Sequence, residues 1–204
     1  MPARTYRARG RGRTAKGDET RRKIKAAVAD LMAEGAFHDS TVEQVADRAG
    51  ISRATLYQHF RSRLELVDAI CERFDENPAL LAIRAAVALP DADAALAETI
   101  AQAVRFWSSE DPILDQLYGV VAIDPAAQAF VKRQRADRRG EMTRLVRNLE
   151  RAGRLRGGLT EEGALSLVMV LTSYETFCEL RLAGSADPAI IDTLHVTART
   201  VLLR

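Results

Sequence analysis

The chain has 204 residues, of which 47% are hydrophobic and 28% charged, and its formal net charge is +2. This length and apolar content allow one full hydrophobic core and exclude a wholly disordered chain. Because no stretch approaches the ~20 apolar residues of a membrane span, and the first residues lack the apolar segment of a secretory signal, we expect a soluble, cytoplasmic protein.

Charge is distributed unevenly along the chain. Residues 1–63 contain 14 Lys and Arg against 7 Asp and Glu, whereas the remainder carries a net charge of −5. In residues 1–18 basic side chains alternate with Gly, Ala and Thr, so this segment has too little apolar area to offset the entropy of ordering it. We expect a flexible basic arm. It is either a solubilising tail or an arm that touches phosphates or a minor groove of DNA.

Signals for helix starts are frequent, and signals for strands are absent from the sequence. Asp or Asn precedes Pro at 77–78, 111–112, 124–125 and 187–188, which predicts an N-cap followed by the first helical residue. Thr41 with Gln44 and Ser62 with Glu65 fit the capping box. An all-α fold is predicted, with helices near 19–35, 41–48, 52–59, 62–76, 92–108, 112–121, 125–152, 160–183 and 188–203, and a further helix or an extension over 78–89.

Apolar spacing supports these helices. One stripe consists of Ile24, Val28, Leu31 and Met32, and another of Met142, Leu145, Val146 and Leu149. The helix predicted over 160–183 is apolar on nearly all sides and therefore needs partners on more than one face. In a chain of this length, a second copy of the protein is a natural partner.

The most informative stretch is residues 41–60, TVEQVADRAGISRATLYQHF. It predicts a short helix capped by Thr41, a tight turn at Gly50, and a second short helix capped by Ser52. Ala46 is small enough to let the two helices cross closely, and Leu56 provides an aliphatic wedge between them. This combination predicts a helix-turn-helix.

A helical wheel of the second helix predicts which side chains face solvent. If Leu56 and Phe60 point inward, Ala54 and Gln58 point outward, with Thr55 and Tyr57 on the flanks. This polar and mostly uncharged face suits a major groove. We expect base contacts from Arg53, Ala54, Thr55 and Gln58 and backbone contacts from Thr41, Ser52, Tyr57 and His59. Tyr57 and His59 could instead pack at the domain edge.

The sequence TVEQVADRAGISRATLYQHFRSRLEL resembles the N-terminal domain of the TetR family of bacterial transcriptional regulators. The match spans roughly residues 20–70, and the order T-L-Y-x-H-F followed by S-[K/R] is its most characteristic part. Arg63 stands where the family more often has Lys as a phosphate contact, so the resemblance adds Arg63 to the DNA-binding set. The exchange keeps the charge and can change the geometry.

The resemblance also implies an organisation for the whole chain. After the basic arm over 1–18, it implies a three-helix helix-turn-helix domain over 19–66 and a larger helical ligand-binding and dimerisation domain over 67–204. A homodimer would form through the helices near 160–183 and 188–203 and would read a near-palindromic operator. A small molecule would then alter the spacing of the recognition helices. The most direct function is a ligand-released repressor of transcription.

The ligand-binding half has candidates rather than a motif. They are aromatic and polar side chains on three predicted helices: Phe106, Trp107, Tyr118, Tyr174, Glu175, Phe177 and Cys178. The aromatics could equally form ordinary core, and Glu175 could be an exposed or dimer-edge residue. The basic run over 132–139 reads as a solvated helix face, with an anion site or an extra DNA contact as the alternative.

Three other functional classes lead to different expectations. The histidines have no metal-ligand spacing and the sequence lacks nucleophile-elbow, P-loop and dinucleotide motifs, so we expect no enzyme activity, no metal and no cofactor. A sequence-tolerant, nucleoid-type DNA binder without an inducer would show steep salt dependence and little sequence preference. A redox sensor centred on Cys178 would lose DNA binding on oxidation, but no electropositive neighbour in the sequence favours it.

Overall fold

The computed structural model describes residues 15–123 and 125–204. Within them the chain forms ten helices, and its one β-bridge joins Leu155 to Leu203. The helices are α1 (Ala15–Ala33), α2 (Val42–Arg48), α3 (Arg53–His59), α4 (Arg63–Phe74), α5 (Pro78–Ala86), α6 (Ala92–Ile123), α7 (Pro125–Arg151), α8 (Glu161–Leu171), α9 (Tyr174–Leu182) and α10 (Asp187–Leu202). The expectation of an all-α fold is therefore confirmed. Most of the predicted basic arm, and the predicted cap at Asp124, lie outside the described residues.

The N-terminal helices pack around the predicted stripe of α1. Ile24, Val28, Leu31 and Met32 are all buried, and α1 contacts α2, α4 and α6. The core continues without interruption into the C-terminal helices, where α6 contacts α5, α7 and α10. Of the helices in the described ranges, none is long and apolar enough to cross a membrane.

Several predicted caps are confirmed. The Thr41 hydroxyl accepts from Gln44 N while the Gln44 side chain accepts from Thr41 N, which completes the capping box of α2. The Asn77 side chain caps α5 with Pro78 in its first turn. Ser62 accepts from Glu65 N as predicted, but the Glu65 carboxylate accepts from Arg61 N, one residue before the expected partner.

The predicted helix break at Asp111-Pro112 is wrong. α6 runs from Ala92 to Ile123 with Pro112 inside it. A proline inside a helix removes one main-chain hydrogen bond. Two tertiary effects offset that loss: Ile113 and Leu114 are buried in the core, and the Asp111 carboxylate accepts a hydrogen bond from the Tyr174 hydroxyl at 2.6 Å. The Asp111 carboxylate therefore bonds to a residue on another helix and does not cap a helix start.

The single helix predicted over 160–183 is also wrong, because it is two helices. α8 ends at Leu171 and α9 begins at Tyr174, with Ser173 as the N-cap of α9. Main-chain oxygens freed by the break find other donors: Thr176 Oγ1 donates to Val170 O at 2.7 Å, and the Trp107 indole donates to Thr172 O at 3.0 Å. The break is stabilised by hydrogen-bonding partners that local spacing does not reveal.

The start of α10 differs from the prediction by one residue. Asp187 lies inside the first turn and does not cap the helix; the N-cap is Ala186, which has no side-chain cap. The Asp187 carboxylate instead accepts a hydrogen bond from Arg181 Nη1 at 2.7 Å. The buried stripe of α10 is Ile190, Leu194, Ala198 and Leu202, and Thr197 and Val201 lie half-buried at its edge.

Candidate nucleic-acid interface and ligand region

The turn between α2 and α3 has the geometry of a helix-turn-helix. Gly50 takes a φ of +66°, a left-handed conformation that glycine adopts without steric penalty. The amide of Ile51 donates to Ala46 O at 3.0 Å, and Ala46 itself is buried. The chain therefore turns at Gly50, between α2 and α3, as the sequence predicted.

α3 presents one polar face to solvent. Leu56 and Phe60 are each 1% exposed, whereas Tyr57, a large aromatic residue, is 40% exposed. Arg53, Ala54 and Gln58 are exposed as well, and Thr55 and His59 are half-buried. The helical wheel placed these side chains correctly; their contacts with DNA remain a prediction.

Hydroxyl residues cap the starts of both helices, and Thr41 keeps donor capacity. Ser52 accepts from Thr55 N at 3.1 Å and shares a hydrogen bond of 2.8 Å with the Thr55 hydroxyl. Thr41 is exposed and its oxygen accepts from Gln44 N, so its own O–H remains able to donate. A phosphate oxygen beside the start of α2 could accept that hydrogen.

Arg53 is already engaged within the domain. Its guanidinium forms an ion pair with Glu43 on α2 and lies 5.5 Å from the centre of the Tyr57 ring. A hydrogen bond with Tyr57 and the charge of Glu43 raise the pKa of Arg53. A base contact by Arg53 would therefore compete with Glu43, which makes this residue a less free donor than the sequence suggested.

Arg63 points into the protein. Its Nη1 donates to Ser40 O at 2.8 Å, and its Nη2 donates to His38 O at 3.0 Å and to Phe37 O. The guanidinium also lies 4.1 Å from the Phe37 ring centre, and burial lowers the pKa of Arg63. These bonds tie the start of α4 to the segment that leads into Thr41. The donors that the family resemblance assigned to phosphate are thus largely used by the protein.

The comparisons with known proteins agree with this geometry. A family model described as bacterial regulatory proteins, tetR family, matches residues 24–70, which cover most of α1 through α4. Residues 24–70 are therefore a TetR-family domain.

Relatives that match this part of the chain are named as transcriptional regulators. The transcriptional activator FasR of Mycolicibacterium smegmatis is 37% identical over 67 residues, which are 33% of this chain and 31% of that protein. The match therefore spans about a third of the length of this relative.

The fold likeness extends over nearly the whole chain. A TetR transcription regulator from Haloarcula marismortui has a TM-score of 0.73 at 14% identity, over 91% of this chain and 99% of that one. The SmeT–triclosan complex has a TM-score of 0.68 at 18% identity, over 91% of this chain and 92% of that one.

In this fold, the five aromatic residues that were predicted for the ligand region pack in one cluster. Ring centres are separated by 4.8 Å for Phe106 and Trp107, 5.6 Å for Trp107 and Tyr174, 5.1 Å for Tyr118 and Tyr174, and 6.2 Å for Tyr174 and Phe177. Phe74, which was not predicted from the sequence, is a sixth residue of the aromatic cluster, and its ring centre lies 5.8 Å from that of Phe106. Because Phe74 ends α4, the cluster connects α4 to α6 and α9.

The polar candidates differ in their environments. Glu175 is exposed, whereas Cys178 is half-buried. Burial raises the pKa of the Cys178 thiol, so it has less thiolate to react with an oxidant. Burial also raises the pKa of Tyr174, and its hydrogen bond to Asp111 raises it further. These shifts favour a structural role for Cys178 and Tyr174 over a redox sensor.

Arg138 is a second residue of this region that was not predicted from the sequence. It belongs to the basic run on α7, which was predicted to be a solvated face, yet its Nη2 donates to Met169 O at 2.6 Å and to the Thr172 hydroxyl at 2.9 Å. The signal was present in the spacing: Arg138 lies four residues before Met142, and hence on the same buried stripe. Arg139, its neighbour, does face outward and pairs with Glu162.

Proposed function

We propose that the chain is a dimeric transcriptional regulator that acts in the cytoplasm and binds an operator through α3. The observation that carries this proposal is the face of α3, where Ala54, Tyr57 and Gln58 are exposed while Leu56 and Phe60 are buried. A short helix with small, polar and mostly uncharged outward side chains can enter a major groove without a large desolvation penalty.

Each side chain on this surface has a role that follows from its chemistry. Gln58 can bond an adenine edge, and the methyl groups of Ala54 and Thr55 can contact a thymine methyl. Arg53 can reach a guanine or a phosphate once it leaves Glu43. Tyr57, His59, Ser52 and Thr41 hold the protein on the phosphate backbone and fix its register.

Arg63 contributes indirectly in this proposal. Its bonds to the oxygens of Phe37, His38 and Ser40 hold the segment before Thr41 against the start of α4. It is a positioning residue for the phosphate contact of Thr41, rather than a phosphate contact of its own.

Dimerisation is proposed through the C-terminal helices. Large apolar side chains stand exposed on each of them: Val170 on α8 is 61% exposed, Leu182 on α9 is 81% exposed, and Val196 on α10 is 64% exposed. Exposed apolar area of this kind is typical of a face that another protein covers. A second copy would give the two-fold symmetry that a near-palindromic operator requires, with half-sites about 34–36 Å apart or a multiple of that distance.

Release by a small molecule is the mechanism we propose. The aromatic cluster lies between α4, α6 and α9, and a neighbour of similar fold, SmeT, is named in complex with triclosan. An inducer shifts the dimer only as far as its affinities for the DNA-binding and released conformations differ. FasR is named an activator, so the direction of regulation is an outcome to be measured on this chain's own target genes.

Selection of bound duplexes from a random DNA library, with purified protein at near-physiological salt, tests the proposal. We expect one inverted repeat, and a loss of binding to it when either half-site is scrambled. A selection that returns no common sequence, with binding that disappears as salt rises, would instead support the nucleoid-type DNA binder.

A further inference from the structure

Arg138 is a charged side chain in the interior of the ligand region. Burial lowers its pKa to about 10, so it still carries its positive charge near neutral pH. Its guanidinium carbon lies 5.9 Å from the centre of the Trp107 ring. In the part of the chain that the structure describes, no carboxylate lies within ion-pair distance of it. The charge is therefore desolvated, and among the described residues it has no direct counter-ion.

All the hydrogen bonds that Arg138 makes to described residues come from one nitrogen. Both described bonds come from Nη2, to Met169 O and to the Thr172 hydroxyl. Among the described residues, Nε and Nη1 have no hydrogen-bond partner. A desolvated guanidinium with unused donors is suited to an oxyanion that brings its own charge and acceptors.

The surroundings of Arg138 suit the rest of such a ligand. Trp107, Tyr118 and Tyr174 form a continuous set of aromatic rings beside it. Burial raises the pKa of Tyr118, and the charge of Glu175 raises it further, whereas the charge of Arg138 opposes that shift. Glu175 is exposed and makes no described hydrogen bond or ion pair, so it weakens the positive field without occupying the guanidinium.

We propose that the effector of this protein is a carboxylate with an apolar body, whose carboxyl group binds Arg138 and whose body lies against Trp107, Tyr118 and Tyr174. This inference rests on the proposed function, because it names the chemical class of the small molecule in that mechanism.

The same bonds link the ligand to the end of α8. A carboxylate that pairs with arginine through two hydrogen bonds needs Nη2 together with Nε or Nη1. Because Nη2 is committed to Met169 O and Thr172 Oγ1, such a ligand takes at least one donor away from the break between α8 and α9. Both helices carry exposed apolar residues that were assigned above to the dimer. Binding of the carboxylate therefore weakens hydrogen bonds that hold these helices beside the dimer face.

Trp107 is the only tryptophan in the chain, and its fluorescence reports directly on this region. The full-length protein is titrated with benzoate, hydrocinnamate, octanoate and decanoate, each beside its neutral amide. At least one carboxylate is expected to change the emission and to bind more tightly than its amide. In Arg138→Gln, that carboxylate is expected to bind at least ~10-fold more weakly and to lose most of its advantage over the amide.

Two variants protect the test against a folding defect in Arg138→Gln. Glu175→Gln removes an exposed negative charge and is expected to raise carboxylate affinity while leaving the amide unaffected. Arg139→Gln removes the adjacent, outward-facing cation and is expected to bind every probe as the wild type does. The inference is overturned if no carboxylate binds the wild type, if carboxylate and amide bind equally, or if Arg139→Gln weakens carboxylate binding as much as Arg138→Gln.

Failure of this inference differs from failure of the proposed function. The fluorescence titration needs no DNA, so a lack of carboxylate preference overturns the effector class while sequence-specific DNA binding stands. Conversely, a protein that selects no DNA sequence but binds carboxylates through Arg138 overturns the regulator and retains the site. When both hold, the bound carboxylate is expected to lower operator affinity in the wild type and not in Arg138→Gln.

Discussion

Arg63 Nη1 donates a hydrogen bond of 2.8 Å to the main-chain oxygen of Ser40, which lies 23 residues earlier in the chain. Ser40 immediately precedes Thr41, the N-cap of α2 and a proposed phosphate contact. The bond thus connects the first residue of α4 to the residue before Thr41.

Arg63→Gln tests whether this residue positions Thr41 or contacts phosphate. Loss of the carbonyl contacts is expected to lower the free energy of unfolding by about 1–3 kcal/mol, because buried oxygens lose charged donors. DNA affinity is expected to fall with nearly the same salt dependence. Urea unfolding and DNA binding at several salt concentrations measure the two effects.

Arg61→Gln is the control for Arg63→Gln, since it removes one charge from an exposed side chain nearby. We expect it to leave stability within about 0.5 kcal/mol of the wild type. If Arg63→Gln leaves stability intact and reduces the slope of log affinity against log salt by about 0.9, Arg63 contacts phosphate directly and the positioning role is wrong.

Tyr57→Phe and Gln58→Ala are expected to weaken DNA binding in different ways. Tyr57→Phe removes a hydroxyl assigned to phosphate, so affinity should fall for all sequences alike. Gln58→Ala removes a base contact, so preference at one base pair per half-site should relax, at about 1–3 kcal/mol. Repeating the library selection with each variant separates the two; an unchanged preference with Gln58→Ala would remove Gln58 from the base-reading set.

Leu182→Asp is expected to shift the protein from dimer to monomer. The side chain is 81% exposed on α9, so a charge there leaves the protomer's own core intact and places a desolvated carboxylate in the proposed dimer face. Sedimentation equilibrium measures the association. Leu81→Asp is the control, because Leu81 is a 50% exposed leucine on α5, away from α8, α9 and α10. A dimer that persists in Leu182→Asp would exclude α9 from the interface.

Asp93 predicts a pH dependence of stability. Its carboxylate accepts hydrogen bonds of 2.8 and 2.6 Å from Arg154, and these bonds lower the pKa of Asp93 in the folded state. A lowered folded-state pKa adds stability that is present above the unfolded value of about 3.9 and is lost as the pH falls through the folded value. Because the pair is partly exposed to solvent, we expect Asp93→Asn to be less stable by about 0.2–1 kcal/mol at neutral pH.

Urea unfolding of the wild type and Asp93→Asn at neutral pH and at about pH 3 measures this linkage. The difference between the two proteins should shrink at the acidic pH, because the Asp93 carboxyl of the unfolded chain is protonated below about 3.9. Arg154→Gln should reproduce the loss at neutral pH, and the double variant should add little to either single one. A difference that is the same at both pH values would mean that the carboxylate's charge does not stabilise the fold.

The helix-turn-helix could be predicted from the sequence because its determinants are local. The capping box of Thr41 and Gln44, the cap at Ser52, the left-handed Gly50 and the inward Leu56 all act within one or two helical turns. Their spacing in the chain therefore reports their spacing in the structure. The same holds for Asn77 and Pro78 at the start of α5.

Tertiary contacts decided the features that the sequence analysis got wrong or missed. Asp111 accepts from Tyr174 across 63 residues and α6 continues through Pro112; Trp107 and Arg138 supply donors to the break between α8 and α9 across 65 and 34 residues. A capping residue or a proline indicates only which local interactions are available to a helix end. Buried main-chain and side-chain polar groups take whichever partners the folded chain brings within reach, and those partners are set by packing and not by neighbouring sequence.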